Sequence, residues 1–536
     1  MEQTQCTPSE AFEIDGNVLK KYLRRDLPYV VIPEGVTRIE FMAFCFRDEI
    51  EELTFPQSLT EIGISAFYGC KKLRQVIFPS GLKKIEKLAF AKCGALELAA
   101  LPEGLTELCE YAFFECKALS RVELPRSLPR LGEAAFKDCE GLESVVLGDG
   151  LTDTGYGTFM GCDRLRSVSL PQSLTRIGDR SFAGCDQLKE IVIPEGVSVI
   201  EYGAFGYCRR LKSVKLPKGL TEIGEMAFAG CRALKRITIP KSLRILGERA
   251  FSESGLRSLT LPEGLTEIGL ETFCSCEDLE QLRLPRSITR IGECAFYGCS
   301  SLESIILPEK LTVLDRSAFT DCSGLKRLFL PASLTELVHN KPGMTEKADG
   351  EEEAEEADGE EEPEEEDSPG LPFLHGCNRL EALRVGEGSP LFSSLDGVLF
   401  NSDRSELMFF PPCAPLQRYT VPDGVRRIAD AAFACCGKLT DVELPQSVKR
   451  IGGSAFSGCR QLSSVKLPEG LEEIGDMAFY ECPALTALTI PKSVTAIGVF
   501  AIPPVITEIG TVIYGWRGTA AEAFAVQNQI PFEALD

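Results

Sequence analysis

One aromatic residue recurs along this 536-residue chain at a fixed count, and that count restricts the fold more than any other feature. Phe44, Phe67, Phe90, Phe113, Phe136, Phe159, Phe182, Phe205, Phe228 and Phe251 stand 23 residues apart; Phe273 follows at 22, and Phe296 and Phe319 at 23 again. With the Phe as position 0, apolar residues return at positions 6, 9, 11, 15, 18 and 22, as in Leu211, Val214, Leu216, Leu220, Ile223 and Ala227. Such a period marks a solenoid, in which each repeat is one coil that buries its apolar side only against its neighbours. Length alone would suggest several domains, but a uniform repeat grows by stacking around a continuous core.

Within a coil, positions 9 and 11 alternate with polar 8 and 10, which predicts a short strand. Proline follows at position 12, as in Pro217 and Pro240. Lacking an N–H, it ends the ladder and forces a corner. A second extended piece, LTEIG, comes next, and its glycine (Gly178, Gly224, Gly269) is expected to supply a positive φ or a tightly packed turn. The AFxGC segment is then the return. About seven buried side chains, each worth roughly 1.5–3 kcal/mol, oppose a backbone ordering cost of about 1–2 kcal/mol for every residue. No single coil stands alone.

The pattern LxxVxLPxxLTxIGxxAFxGC resembles the BspA-like leucine-rich repeat, from about Val30 to Ile502. The resemblance implies a leucine-rich-repeat parallel β-solenoid with a curved face and adhesion or protein-binding roles. It brings no catalytic residues. The expected fold is therefore a β-rich solenoid of 23-residue coils, capped by hairpins and a short C-terminal helix. Eighteen coils are counted when Leu374, Phe433, Phe456, Phe479 and Ile502 join the Phe series.

Residues 1–11 read as a disordered lead, and FEIDGNVLKKY, with Asp15-Gly16 between apolar runs, as a hairpin cap opening a first array over 12–338. FSESGLRSLTL has one residue fewer than its neighbours and Ser254 in place of the usual Cys, which predicts a small local kink. Residues 339–370 form an acidic insertion that cannot bury a core and is expected to be disordered. It reads as a tolerated solvated loop or as a docking site for a basic partner; the Asp spacing that wraps calcium is missing. A second array spans 371–536, with an internal hairpin region at 386–420 around Val398 to Phe400 and Leu407 to Phe410. Its terminal cap, 503–536, consists of a strand with Trp516, a helix from Ala520 to Asn528 opened by the capping-box pattern Thr519-x-x-Glu522, and a final strand.

Net charge is −23, but residues 341–370 hold fifteen acids against two lysines, so thirteen of those charges sit in the insertion and ten elsewhere. A mildly acidic solenoid argues against nucleic acid as a partner. No apolar run is long enough to cross a membrane, and MEQTQCTPSE carries no export pattern. A cytoplasmic location is expected on this sequence, or the cell surface if an export signal was removed. Of 22 cysteines, fifteen occupy position 3, including Cys70, Cys93, Cys116, Cys139, Cys162, Cys185, Cys208 and Cys231. A line of single thiols reads as small buried side chains filling a corner; it does not converge four ligands as zinc requires. No cofactor or metal is expected. Histidine is limited to His339 and His375, and a Cys-His arrangement of His375 with Cys377 is conceivable, although Cys377 is an ordinary position-3 residue.

The exposed positions carry the functional signal. At position 7 five successive coils present Arg166, Lys189, Lys212, Lys235 and Arg257, with Arg209, Arg210, Lys215, Arg232 and Arg236 nearby. Like charges about 5 Å apart repel by roughly 0.8 kcal/mol even at the dielectric of water. The ladder reads either as a salt-bridged surface, relieved by Glu190 and other acids, or as a patch for an acidic partner. The chain is thus expected to be a non-enzymatic scaffold that binds a protein through positions 7, 8 and 10 of the coils from Phe159 to Phe273. The alternatives are a surface adhesin and, more distantly, a solenoid hydrolase.

Overall fold

The computed structural model describes residues 7–338, 374–502 and 511–535. The acidic insertion 339–370, His339 and the first residues of the terminal cap, 503–510, lie outside them. The chain forms two compact units, Met1–Ser287 and Ile288–Asp536. Each is a parallel β-solenoid.

In the first unit most coils contribute the strands their sequence predicts. Ser213–Lys215 has the exposed-buried-exposed pattern of a half-buried strand, and Val214 fills the core. Seven such strands, from Tyr29–Val31 to Ser167–Ser169, form one sheet in which residues pair in parallel 23 apart, as Val122 does with Val145. A second ladder uses the two-residue strands. Arg38–Ile39 to Glu107–Leu108 extend the hairpin Phe12–Asp15 and Val18–Tyr22, and a further sheet runs from Arg176–Ile177 to Ile245–Leu246. Between these sheets stands Pro129, which has no N–H to continue the ladder. Of the residues expected as a disordered lead, Thr7 Oγ1 accepts from the Val31 N–H at 2.8 Å and Ala11 is fully buried, while Pro8, Ser9 and Glu10 between them are exposed.

The return turns form a third line of contacts. Phe67 N–H donates to the Ala89 carbonyl of the following coil at 2.8 Å, and Phe90 N–H does the same to Ala112. The rings stack, Phe90 on Phe113 at 5.3 Å and Phe228 on Phe251 at 5.6 Å, all fully buried. Offset stacking adds about 0.5–1.5 kcal/mol per pair to the burial. Tyr22 takes the same place below Phe44, 5.0 Å from its ring, so the hairpin is part of the stack.

Positive φ falls on both sides of the Phe, at Met226 and Gly230 around Phe228 for example, and not at the glycine of IG. Gly178 and Gly224 are instead required by closeness. A Cβ on Gly178 would meet the Gly155 carbonyl, and one on Gly224 the backbone at Glu201. Of the two roles expected for this glycine, tight packing is the one observed at these positions.

The second unit repeats the plan. Ser304–Ile306, Arg327–Leu330 and Ala382–Val385 pair in parallel. Phe392–Leu395, Val398–Asn401 and Glu406–Phe409 form an antiparallel meander whose last strand pairs in parallel with Arg427–Ile428. Phe410 stacks on Phe433 at 5.0 Å, so it belongs to the aromatic line and the added residues lie between Leu374 and Phe410. The unit ends in Val512–Gly515, the helix Ala520–Gln527 and Phe532–Ala534. The capping box is not made: Glu522 accepts from the Gly518 N–H, one residue before the cap, at 2.7 Å, while the Thr519 hydroxyl turns back to the Trp516 carbonyl.

Candidate functional site

The position-3 thiols donate to the Phe carbonyl of the coil before them, as Cys208 Sγ does to Phe182 O at 3.1 Å and Cys231 Sγ to Phe205 O at 3.2 Å. Burial pushes the Cys208 and Cys139 thiols up to about 12, so they stay neutral and unreactive. No group of three or more potential metal ligands occurs among the described residues. Cys377 follows the same rule: its Sγ donates to Phe319 O at 3.2 Å, and burial raises its pKa to about 12. His375, more than half exposed, has its Nδ1 3.8 Å from Asp321 Oδ1. The two side chains face different surroundings.

The ten basic residues divide by partner. Arg166 pairs with Glu143 at 3.8 Å, Arg209 with Asp186 at 3.3 Å and Arg232 with Glu253 at 2.6 Å. Lys235 reaches to Asp278 at 2.5 Å, and its ammonium holds that carboxyl below the ordinary range, with Arg257 adding to the effect. Arg210 donates to the neutral Gln187 side chain at 2.8 Å. Lys189, Lys212, Lys215 and Arg236 are exposed and have no ion pair among the described residues. Glu190 relieves none of them. The salt-bridged surface therefore accounts for some of these cations and leaves a group of lysines and one arginine uncompensated.

Their backbone is unusual too. After Ser167–Ser169 the first-strand ladder breaks into pairs, Glu190–Val192 with Ser213–Lys215 and Ser258–Thr260 with Gln281–Arg283. Residues 235–239 between them form no strand, and among the described residues none of their N–H groups donates to a backbone carbonyl. The first-strand segment of the coil that follows is joined to it only at its root, where Arg257 N–H donates to Lys235 O at 3.0 Å and Gly255 N–H to Cys231 O at 3.2 Å. Beyond that root the two segments fork around a cleft of about 830 Å³, lined by Arg236, Ile237, Ile239, Lys241, Leu261 and Arg283 among others. The shortened stretch FSESG lies between the two segments, and a Cβ on Gly255 would overlap the Arg232 carbonyl, as one on Gly141 would overlap the Lys117 carbonyl where the ladder is intact. The small kink expected at FSESG thus coincides with a gap in a ladder that also breaks after Ser167–Ser169.

Sequence reading placed Arg236 on this surface but missed Lys241 and Arg283, which form no ion pair among the described residues. Counting cations at positions 10 and 13, as was done at 7, would have found them. A smaller cleft of about 450 Å³ lies where Gly148 replaces the position-12 proline, and its Arg126 and Asp149 pair with each other at 3.5 Å.

Comparison with protein families turns this geometry into an assignment. The model of the BspA type leucine rich repeat region matches residues 20–143, 106–235, 222–340 and 406–502. The chain belongs to the BspA-type leucine-rich repeat family. Leucine-rich repeat proteins of this kind are typically protein-interaction scaffolds and generally non-enzymatic. Among solved structures this BspA-type chain is similar to a leucine-rich repeat protein from Bacteroides ovatus, with 19% identity, 99% of this chain and 97% of that one covered, and a TM-score of 0.34. It is also similar to the T. pallidum leucine rich repeat protein TpLRR, at 31% identity over 34% of this chain and 91% of that one, with a TM-score of 0.33. The pneumococcal vaccine antigen PcpA gives 19% identity, 68% and 85% coverage and a TM-score of 0.38. The curated proteins contain no match. No helix among the described residues is long and apolar enough to cross a membrane.

Proposed function

We propose that this protein is a non-enzymatic scaffold that captures an acidic protein partner on the first-strand face of the coils from Phe182 to Phe251. The observation that carries the reading is the uncompensated group Lys189, Lys212, Lys215 and Arg236, exposed on neighbouring coils of a chain whose net charge is −23. Mutual repulsion of such a group is a standing cost that a carboxylate-bearing partner would relieve, and complementary charge raises both association rate and selectivity.

Affinity capture from native lysate tests this, with the intact chain compared against a Lys212→Glu, Lys215→Glu, Arg236→Glu variant. The expected result is a partner with an acidic surface, released by salt and bound at least about tenfold more weakly by the variant. Equal, salt-insensitive recovery on both would refute the reading.

A further inference from the structure

The fork at residues 235–239 adds a mode of binding to that reading, on which it rests: we infer that an extended acidic peptide docks there as an added strand. In the sheet from Tyr29–Val31 to Ser167–Ser169 an inner first strand pairs on its flanks with the strands of the coils before and after it. At 236–239 the same alternation of side chains persists, with Ile237 and Ile239 buried and Arg236 and Thr238 exposed, so the segment is held against the core in extended form. Its main-chain donors nevertheless go without a backbone partner among the described residues. A held, unpaired strand is the template that strand addition uses, because main-chain groups supply affinity and alternate side chains supply selectivity.

Charge and shape name the occupant. The cleft is lined by Ile237, Ile239, Leu259 and Leu261 and by three cations, Arg236, Lys241 and Arg283, against the one carboxylate of Glu263. That carboxylate is engaged, accepting from the Arg286 N–H at 3.2 Å. About 830 Å³ lies within the range that holds a small ligand. Four residues of strand span roughly 13 Å, so the pairing segment is short, with apolar residues toward the cleft wall and acidic residues toward the rim. A second copy of this chain, presenting a strand edge of its own, would give concentration-dependent association in place of peptide binding.

The experiment uses the full chain and a fluorescein-labelled eight-residue peptide of alternating Glu and Val, alongside the same peptide N-methylated at alternate residues. Polarisation reads affinity, and amide exchange reads protection of residues 236–239. Strand addition predicts that the plain peptide binds and slows exchange at 236–239, and that N-methylation weakens it at least about tenfold, since two or three main-chain hydrogen bonds are lost. Thr238→Pro, which removes an N–H with no backbone partner, is expected to leave folding intact and to weaken the plain peptide. Equal binding of both peptides, or binding without protection at 236–239, overturns strand addition. So does an absence of binding by either. If partner capture stays sensitive to charge reversal in those cases, this inference alone has failed; if it does not, the functional reading has failed with it.

Discussion

At the residue scale the account turns on two side chains per coil. Phe228 is fully buried between the rings of Phe205 and Phe251, 5.5 and 5.6 Å away. Phe228→Ala is expected to cost about 3–5 kcal/mol, from lost transfer energy and the cavity it leaves, as measured by denaturant unfolding. Cys208→Ala removes the S–H donor to Phe182 O as well as some volume, and about 1 kcal/mol is expected. Buried thiols should also resist alkylation in the native protein, while Cys435, which is exposed, should react. Mass spectrometry after iodoacetamide treatment reads both; rapid native labelling of Cys208 would contradict the assignment. The 23-residue period was legible because period is a property of sequence alone, although the eighteen coils it counts leave out the turns of Tyr22 and Phe410. The cysteine's partner was not, since a donor reaching the carbonyl 26 residues earlier is visible only when coils are stacked. Gly178 shows the same limit: sequence offers two reasons for a glycine, and only the neighbouring coil decides between them.

At the element scale, departures from the pattern carry the information. Pro129 interrupts the two-residue ladder, and the one-residue deletion after Phe251 lies beside one of the gaps in the three-residue one. Pro129→Thr would regain a ladder bond worth about 1 kcal/mol and lose about 0.4–1 kcal/mol of chain stiffness. The melting temperature is thus expected to move little while amides 130–131 gain exchange protection; unchanged protection would contradict this account of the break. The deletion itself was legible, but its consequence was not. A shortened turn could tighten a corner or spread two strands, and only the pairing of Ser258–Thr260 with Gln281–Arg283 and not with residues 235–239 shows which strands separate. Tyr22 and Phe410 were overlooked as members of the aromatic line, although Phe410 stands 23 residues before Phe433 and Tyr22 stands 22 before Phe44. Thr519 kept its place before the helix but not its cap, because the Trp516 carbonyl competes for its hydroxyl.

At the scale of the whole molecule, a core lined with thiols sets the response to pH. Burial raises Cys139, Cys208, Cys276, Cys377 and Cys482 from 9.0 to about 12. The folded state therefore keeps protons that the unfolded chain releases above pH 9. The sign is fixed: this contribution is complete below pH 9 and is lost progressively as pH rises toward 12. Melting temperature should be flat through neutral pH and fall steeply above pH 9, and a level profile to pH 11 would contradict it. The central claim is that residues the stacked core leaves free, on the first-strand face near Phe205 and Phe228, meet the partner. Photo-crosslinking tests it most directly, with a benzoylphenylalanine placed at Ser213 on that face and, separately, at Thr221, which lies exposed beside the second strand Glu222–Ile223. The account predicts partner adducts from position 213 and none from 221; adducts from 221 alone would contradict it.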